Sequence, residues 1–447
     1  MRARLLAIAL ASSMLGVGVG ARAQSRDGLA ALAPAVTAPP DPCPGATGWT
    51  RIASGGPALT DGLSSAWAGR ELLIISPARA NVPLRVSALD VCANRWRDLD
   101  MSAWPTPTDP QRLAVTHIGD RVALELRSAT AAPVTRLFTP GSPGWTSAPE
   151  WASFVGRLLV GERAIAIESR SGRFAEVDVW DVAAARSYSV RPRTAPAART
   201  DHASAVVGER VVIVGGRDAS GQLARGVDVY DARRRRWSRI AAPNEPAGRT
   251  HPIVATAGEH VLVFGGQDDR GELDDGAVLD VPHRRWTPVS AAPGLRGATE
   301  RVAVLTRTSF VVLASEPNRA RTVGAALDLA TGAWREVTPP VQVRRSSTSL
   351  DPLPDGRVLL RQHGARELWI LEPSAGSWAR VELGAVGDRT TPLVAVEGAR
   401  IVVLGGHEPV DDRHWQTGCE RPVPGIGCDP VAPPVGRLRQ DGYLRSL

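Results

Sequence analysis

Lysine is absent from the sequence, and all 53 of its basic residues are arginine. Arginine stays protonated at any pH near neutrality, so it raises the isoelectric point although the formal net charge is only +7 over 447 residues. A uniform choice of arginine is typical of genome composition rather than of a nucleic-acid surface, and we expect no nucleic-acid partner.

Long apolar runs are also missing, apart from one near the start of the chain. Leu5–Val19 carries no charge, follows Arg2 and Arg4, and precedes a small-x-small pattern at residues 21–23. These features predict a signal peptide over residues 1–23 and no membrane span, with Gln24 as the first mature residue. We therefore expect a periplasmic or extracellular protein.

Cysteine is scarce, with four residues, and no two of them have the CxxC spacing typical of a zinc site. An even count in an exported chain predicts disulfides. Cys419 and Cys428 bracket a short loop rich in proline and glycine, which favours a bridge between them and leaves Cys43 to pair with Cys92. The alternative joins Cys43 to one of the two late cysteines.

Tryptophan marks an internal repeat. Large aromatic residues recur at intervals of 43 to 49 residues, with a tyrosine where one tryptophan is missing. They are Trp49, Trp96, Trp145, Tyr188, Trp237, Trp286, Trp334 and Trp378. A period of roughly 50 residues is typical of propellers with four strands per blade.

Each unit of the repeat has a common local pattern. Seven residues before most of the aromatics stands a large apolar residue, usually followed by an acid, as in Leu279-Asp280 before Trp286. We expect the apolar residue to end the third strand, the acid to accept backbone N–H groups in a tight turn, and the tryptophan to open the outer strand. Two β-rich runs precede the unit, for example 203–207 and 210–214, and Gly215-Gly216 then predicts a sharp bend where backbones crowd.

These motifs resemble those of the kelch family. The fullest matches span residues 199–237 and 249–286, each with a double glycine. The resemblance implies an all-β fold, a kelch-type β-propeller similar to the central domain of galactose oxidase. The copper radical oxidases of that kind need tyrosine ligands, whereas this chain has three tyrosines, two of them at framework positions. We therefore expect no copper site and no cofactor.

The repeat supplies seven complete blades over residues 57–385, two more strands within 391–406 and an orphan strand at Trp49. Joining these pieces, with a third strand within 435–444, would close an eighth blade and leave no open sheet edge. Eight blades are the prediction; seven, with Trp49 outside the ring, are the alternative. The predicted divisions are a flexible lead-in over 24–42 and one propeller domain over 43–447, with a closing strand in 43–56 and the last blade in 386–447.

Polar residues stand at the start of several blades, where equivalent positions would surround one mouth of the central channel. Because arginine pairs carboxylates and phosphates through two hydrogen bonds, this ring predicts a site for an anionic ligand. The candidates are Arg199, His202, Arg249, His251 and Arg389. The alternative is that they bond to neighbouring carbonyls as part of the framework.

A second candidate is a basic edge patch at the turns before two outer strands, composed of Arg233, Arg234, Arg235, Arg236, Arg284 and Arg285. Adjacent turns would merge into a surface that attracts an acidic protein or an anionic glycan, or they would simply be solvated. His407, Asp411 and His414 are weak metal candidates. We predict no metal site there, because their spacing on irregular backbone fixes no geometry.

The sequence contains none of the motifs of serine hydrolases, P-loop proteins or HExxH zinc enzymes. We therefore expect an exported, monomeric propeller that binds a protein or an anionic glycan, and not an enzyme. The alternative is a carbohydrate-active enzyme similar to the exported sialate mutarotases, which are also kelch propellers, acting on an acidic sugar at the channel mouth.

Overall fold

The structure is a computed structural model. It describes residues 48–59, 63–76, 84–102, 104, 112–118, 121–127, 133–147, 158–170, 172–184, 186–316, 321–362, 367–382, 393–405 and 441–446. These residues form 34 β-strands, and none of them lies in a helix long and apolar enough to cross a membrane. Thirty-two strands build eight four-stranded antiparallel sheets, the blades, and two form a small hairpin.

In blades 1 to 4 the strands follow one another in chain order. Blade 1 contains β2 (Ser64–Ala68), β3 (Glu71–Ser76), β4 (Arg85–Asp90) and β5 (Arg95–Asp98). Blade 2 contains β6 (Arg112–Ile118), β7 (Arg121–Arg127), β8 (Val134–Phe138) and β9 (Trp145–Ser147). Blade 3 contains β10 (Leu158–Val160), β11 (Arg163–Arg170), β12 (Arg173–Asp181) and β13 (Arg186–Val190). Blade 4 contains β14 (Thr200–Val207), β15 (Arg210–Arg217), β16 (Val227–Asp231) and β17 (Arg236–Ile240).

Blades 5 to 7 repeat this arrangement, and blade 5 also carries the hairpin. Blade 5 contains β18 (Ile253–Ala257), β19 (His260–Phe264), β22 (Gly276–Asp280) and β23 (Arg285–Val289), with the hairpin β20 (Gln267–Asp268) and β21 (Gly271–Glu272) between β19 and β22. Blade 6 contains β24 (Glu300–Leu305), β25 (Ser309–Glu316), β26 (Arg321–Asp328) and β27 (Trp334–Glu336). Blade 7 contains β28 (Thr348–Pro352), β29 (Val358–Gln362), β30 (Leu368–Glu372) and β31 (Ser377–Arg380).

Blade 8 joins the first described strand to the last ones. Its order is β32 (Leu393–Glu397), β33 (Arg400–Leu404), β34 (Gly442–Ser446) and β1 (Thr50–Arg51). Thr50 lies opposite Leu444, so the ring closes as predicted and eight blades are confirmed. The third strand of this blade, β34, overlaps only the end of the window 435–444 that was predicted for it. Its position follows from pairing with β33, because Leu444 lies opposite Val402 and both pack in the same hydrophobic cluster.

Eight hydrophobic clusters fill the eight interfaces between neighbouring blades. The repeat tryptophans take part in seven of them, and each packs against the preceding blade. In blade 5, for example, Trp286 lies opposite Leu279 on the third strand and belongs to the cluster shared with blade 4. This is the position predicted for the tryptophan, and it explains the period of the repeat: one large ring is needed per interface.

Three of the repeat tryptophans also form a hydrogen bond to the preceding blade. Trp96 Nε1 donates to the carbonyl oxygen of Ala53 at 3.0 Å. Trp49 Nε1 donates to the carbonyl oxygen of Glu382 at 2.8 Å, and Trp334 Nε1 donates to the carbonyl oxygen of Ser290 at 3.0 Å. The acceptor is the same position in each blade, four residues after the aromatic. The ring is therefore held by a recurring indole-to-carbonyl bond as well as by apolar packing.

Blade 3 corrects one prediction. The residue at the tryptophan position of its outer strand is Ser187, which lies opposite Trp180, and Tyr188 lies opposite Val179. Because side chains alternate along a strand, this offset of one residue turns Tyr188 towards blade 4. The buried indole of Trp180, on the third strand, fills the interface with blade 2 instead.

The double glycines lie where backbones of adjacent blades meet, as predicted, but β15 continues through Gly215 and Gly216 rather than ending before them. Both have left-handed φ values, of 67° and 91°. A Cβ on Gly215 would lie 2.3 Å from the carbonyl oxygen of Arg249 in blade 5, so no other residue fits without a backbone shift.

Candidate functional site

The two faces of the ring carry different connections. Because the strands of a blade alternate in direction, the blade-start loops share one face with the connections between second and third strands. The turns between third and fourth strands lie on the other face. The predicted channel-mouth residues therefore belong to the first face and the basic edge patch to the second.

Arg199, at the start of blade 4, is buried inside its own blade. Its guanidinium pairs with the buried carboxylate of Asp228 and donates to the carbonyl oxygen of Gly215 at 3.1 Å. Burial lowers the pKa of Arg199 to about 10, and the nearby positive charge of Arg239 lowers it as well. This guanidinium is therefore already paired with groups of its own blade.

Arg249 holds the equivalent place in blade 5 and is 1% exposed. It donates to the carbonyl oxygens of Gly265 at 2.9 Å, Asp275 at 3.1 Å and Ala247 at 3.1 Å. It also forms an ion pair with the Asp275 carboxylate at 3.1 Å. Arg301 repeats the pattern in blade 6, where it donates to three backbone carbonyls. These contacts fit the framework interpretation of the blade-start arginines.

The two blade-start histidines differ in exposure. The ring of His202 is half-buried, contacts Phe174 edge-on at 5.4 Å and lies with Nδ1 2.8 Å from the carbonyl oxygen of Arg199. Burial is the largest cause of a lowered pKa for His202. His251 is exposed, and its Nε2 lies 3.3 Å from the carboxylate of Asp201. Asp201 and His251 both have left-handed backbone, with φ of 56° and 48°.

Several predicted residues lie outside the described part of the chain. They are Arg389, His407, Asp411, His414, Cys43, Cys419 and Cys428. Cys92 is disulfide-bonded, but all three cysteines that can pair with it are among these, so the pairing remains a prediction. Among the described residues, no group of three or more histidine, cysteine, aspartate or glutamate side chains is placed to hold a metal.

On the second face, the turns between third and fourth strands share one construction. The acid that ends the third strand accepts backbone N–H groups, as predicted: Asp231 accepts from Arg234 at 2.7 Å, and Asp328 accepts from Thr331 at 2.8 Å. The fourth residue after the acid has left-handed φ in five blades. These five residues are Asn94, Arg235, Arg284, Gly332 and Gly376.

Arginine is unusual at this left-handed position, where a residue with a Cβ costs about 1–2 kcal/mol. Both arginines reach back to the preceding blade. Arg284 donates to the carbonyl oxygen of Arg239 at 2.6 Å, and the Arg235 guanidinium lies 4.9 Å from the ring centroid of Tyr188. Asn94 reaches blade 8 in the same way, with Nδ2 3.1 Å from the carbonyl oxygen of Arg51. The left-handed residue therefore links neighbouring blades wherever it carries a polar side chain.

A cleft of about 190 Å³ lies between blades 3 and 4 on this face. Its lining residues are Arg163, Tyr188, Glu209, Ala232, Arg233 and Arg235. Arg163 is 3.5 Å from the Asp181 carboxylate. Within the described residues, no carboxylate lies within ion-pairing distance of Arg233, Arg235 or Arg236, and all three are exposed. The structure thus brings two of the six arginines of the basic edge patch, Arg233 and Arg235, to a cleft that sequence reasoning did not anticipate.

A family model of the kelch-repeats domain of KLHDC2, KLHL20 and DRC7 matches residues 167–350. The matched segment runs from within β11 to within β28, across the blades that bear the double glycines. The chain is an eight-bladed β-propeller whose residues 167–350 match the kelch-repeat family. No curated protein matches it.

Sequence reasoning placed Tyr188 in the repeat and Asp201 among the polar residues at the start of blade 4. It missed the cleft that Tyr188 lines with Arg163 and the pairing of Asp201 with His251. The signal for Tyr188 was present, because it stands eight residues after Trp180 instead of seven. Aligning the turns of the blades would also have shown that Arg235 and Arg284 stand where other blades have glycine or asparagine. Nothing in the sequence placed Arg163 in the cleft, since that depends on how two blades meet.

Proposed function

We propose that this kelch propeller is an exported scaffold that binds an acidic protein through the basic edge patch. Kelch propellers commonly bind proteins. The observation that carries the proposal is the excess of exposed arginine on the turns of blades 4 and 5, where Arg233, Arg235 and Arg236 have no carboxylate within reach in the described structure. Such a patch attracts acidic partners and raises their rate of association.

The patch is favoured over the channel mouth because the guanidiniums differ in availability. Arg199 and Arg249 already bond to carbonyls and carboxylates, and moving them would leave buried acceptors unpaired. In the patch, Arg233, Arg235 and Arg236 are exposed and have no ion pair in the described structure, so they can bind a carboxylate with little reorganisation. We propose an acidic protein as the partner, and binding of an anionic glycan instead is an outcome that the test distinguishes.

The test measures binding of a fluorescein-labelled poly-glutamate peptide by fluorescence anisotropy, with poly-glutamine as the neutral control. The double variant Arg236→Gln/Arg285→Gln removes two charges of the patch. The matched control, Arg296→Gln/Arg335→Gln, removes two exposed arginines elsewhere. We expect the patch variant to weaken binding about three- to tenfold and the control to change it less than about twofold.

Equal effects of both variants, or no binding of poly-glutamate by the wild type, would overturn the proposal. Binding of a heparin fragment without binding of poly-glutamate would replace the protein partner by a glycan. Export is tested separately by expressing the full chain in a bacterium and sequencing the mature protein, which should begin at Gln24 in the periplasm or the medium.

A second candidate function is a carbohydrate-active enzyme at the channel mouth, and one observation favours it. Asp201 and His251 form an exposed carboxylate–imidazole pair on strained backbone, which is an arrangement suited to general acid–base chemistry. NMR of an equilibrating sialic acid tests this. Faster exchange between anomers with the wild type than with His251→Ala would support the enzyme, and unchanged exchange would remove it.

A further inference from the structure

We infer that the cleft between blades 3 and 4 is the anchor of the binding surface and receives a single carboxylate side chain of the acidic partner. This inference rests on the proposed function, because it names the place within the patch that gives the interaction its specificity.

The cleft exists because of the offset in blade 3. Tyr188 is turned towards blade 4, where its half-buried ring forms one wall, while Ala232 leaves the opposite wall without a large side chain. Pockets for small-molecule ligands usually measure about 300–1,000 Å³. A volume of about 190 Å³ is smaller and matches one side chain with a few water molecules.

The residues that line the cleft, counted together with Asp181, carry a net charge of +1, and Arg186 beside the Tyr188 ring adds a further positive charge nearby. Arg163, Arg233 and Arg235 face Glu209 in the cleft, and Asp181 neutralises Arg163 from its edge. A singly charged carboxylate suits the excess of the lining residues, whereas a doubly charged phosphate would place a second negative charge beside Glu209. Arg233 and Arg235 are the two cations that a carboxylate could bridge, since neither has an ion pair in the described structure.

The cation Arg235 is held in place before any ligand arrives. Its guanidinium lies 4.9 Å from the Tyr188 ring centroid, and Arg186 lies 5.8 Å from the same ring. Stacking on an aromatic face leaves the N–H groups at the edge of the guanidinium free to donate. A preorganised donor loses less side-chain entropy on binding than a solvated one. Arg236 lacks such support, so we expect it to contribute attraction but little specificity.

The structure offers a matched pair of variants. Arg235→Gly and Arg284→Gly each remove one arginine from the same left-handed turn position, and glycine already occupies that position in blades 6 and 7. Both variants therefore keep the turn and change the net charge equally, but only Arg235→Gly changes the cleft. Thermal melts establish that both are folded before binding is measured.

With the poly-glutamate peptide, we expect Arg235→Gly to weaken binding at least tenfold and Arg284→Gly less than about threefold. Tyr188→Leu, which keeps every charge but removes the platform, should weaken binding about three- to tenfold. Equal effects of the two glycine variants, or wild-type binding by Arg235→Gly, would overturn the anchor while leaving the acidic-protein function standing. If the wild type does not bind the peptide, the proposed function and the anchor both fail.

Discussion

Replacing Trp286 by alanine should remove a large part of one interface between blades. The side chain is 3% exposed and packs in the cluster between blades 4 and 5. A buried aromatic side chain covers about 150–250 Å², which at about 25 cal/mol per Å² corresponds to roughly 4–6 kcal/mol. Within the described residues the indole N–H has no acceptor, so its removal relieves a small penalty. We therefore expect the free energy of unfolding to fall by about 3–5 kcal/mol.

Urea unfolding followed by far-UV circular dichroism is the appropriate assay. The entropy of unfolding is about 2 cal/mol/K per residue, so in a chain of this length a loss of several kcal/mol shifts the melting temperature by only a few degrees. Trp286→Phe is the matched variant, because it keeps most of the apolar area, and it should lose less than half as much stability. If Trp286→Ala unfolds within about 1 kcal/mol of the wild type, the ring does not depend on this packing and the reasoning is wrong.

Three further predictions concern stability. Trp96→Phe should cost about 0.5–1.5 kcal/mol more than Trp286→Phe in urea unfolding, because it also removes the bond to Ala53; equal costs would contradict this. Arg249→Lys should lower the free energy of unfolding by about 2–4 kcal/mol but leave poly-glutamate binding unchanged, since one ammonium cannot reach three carbonyls. Burial lowers the pKa of His202 and His260 in the folded protein. As the pH falls, the unfolded chain therefore binds protons before the folded one does, so the free energy of unfolding should be constant above about pH 7 and fall below about pH 6.5. Urea midpoints at pH 7.5 and 5.5 check this, and His260→Gln should reduce the difference.

The sequence predicted the blade framework well because that framework depends on local chemistry. An acid that accepts turn N–H groups, a tryptophan seven residues after an apolar residue and runs of β-branched residues each act within one blade. Ring closure was also predictable, because an orphan outer strand at Trp49 and two unpartnered strands after blade 7 leave open edges that pairing removes. The bounds of β34 were less predictable, because its register is set by pairing with Val402 on the neighbouring strand.

The binding surfaces were harder to predict because they depend on contacts between blades. Arg199 and Arg249 have the residue type of an anion site, but each guanidinium reaches the carbonyl of the first glycine in the double glycine of its blade, a contact that the residue type alone does not reveal. Tyr188 shows the same limit, because an offset of one residue reverses the face that a side chain occupies. The left-handed backbone of Arg235 carries no signal in its own residue type and becomes visible only beside Gly332 and Gly376.

The most direct test of the eight-bladed ring is a cross-link between its first and last described strands. Cysteines introduced together at Thr50 and Leu444, which lie directly opposite each other, should form a disulfide that mass spectrometry of a non-reduced digest detects. A Thr50→Cys/Arg445→Cys control places the two cysteines on opposite faces of the blade and should not cross-link. A disulfide in the first variant alone would support the closed eighth blade. Its absence, or equal cross-linking in the control, would contradict the closed eighth blade.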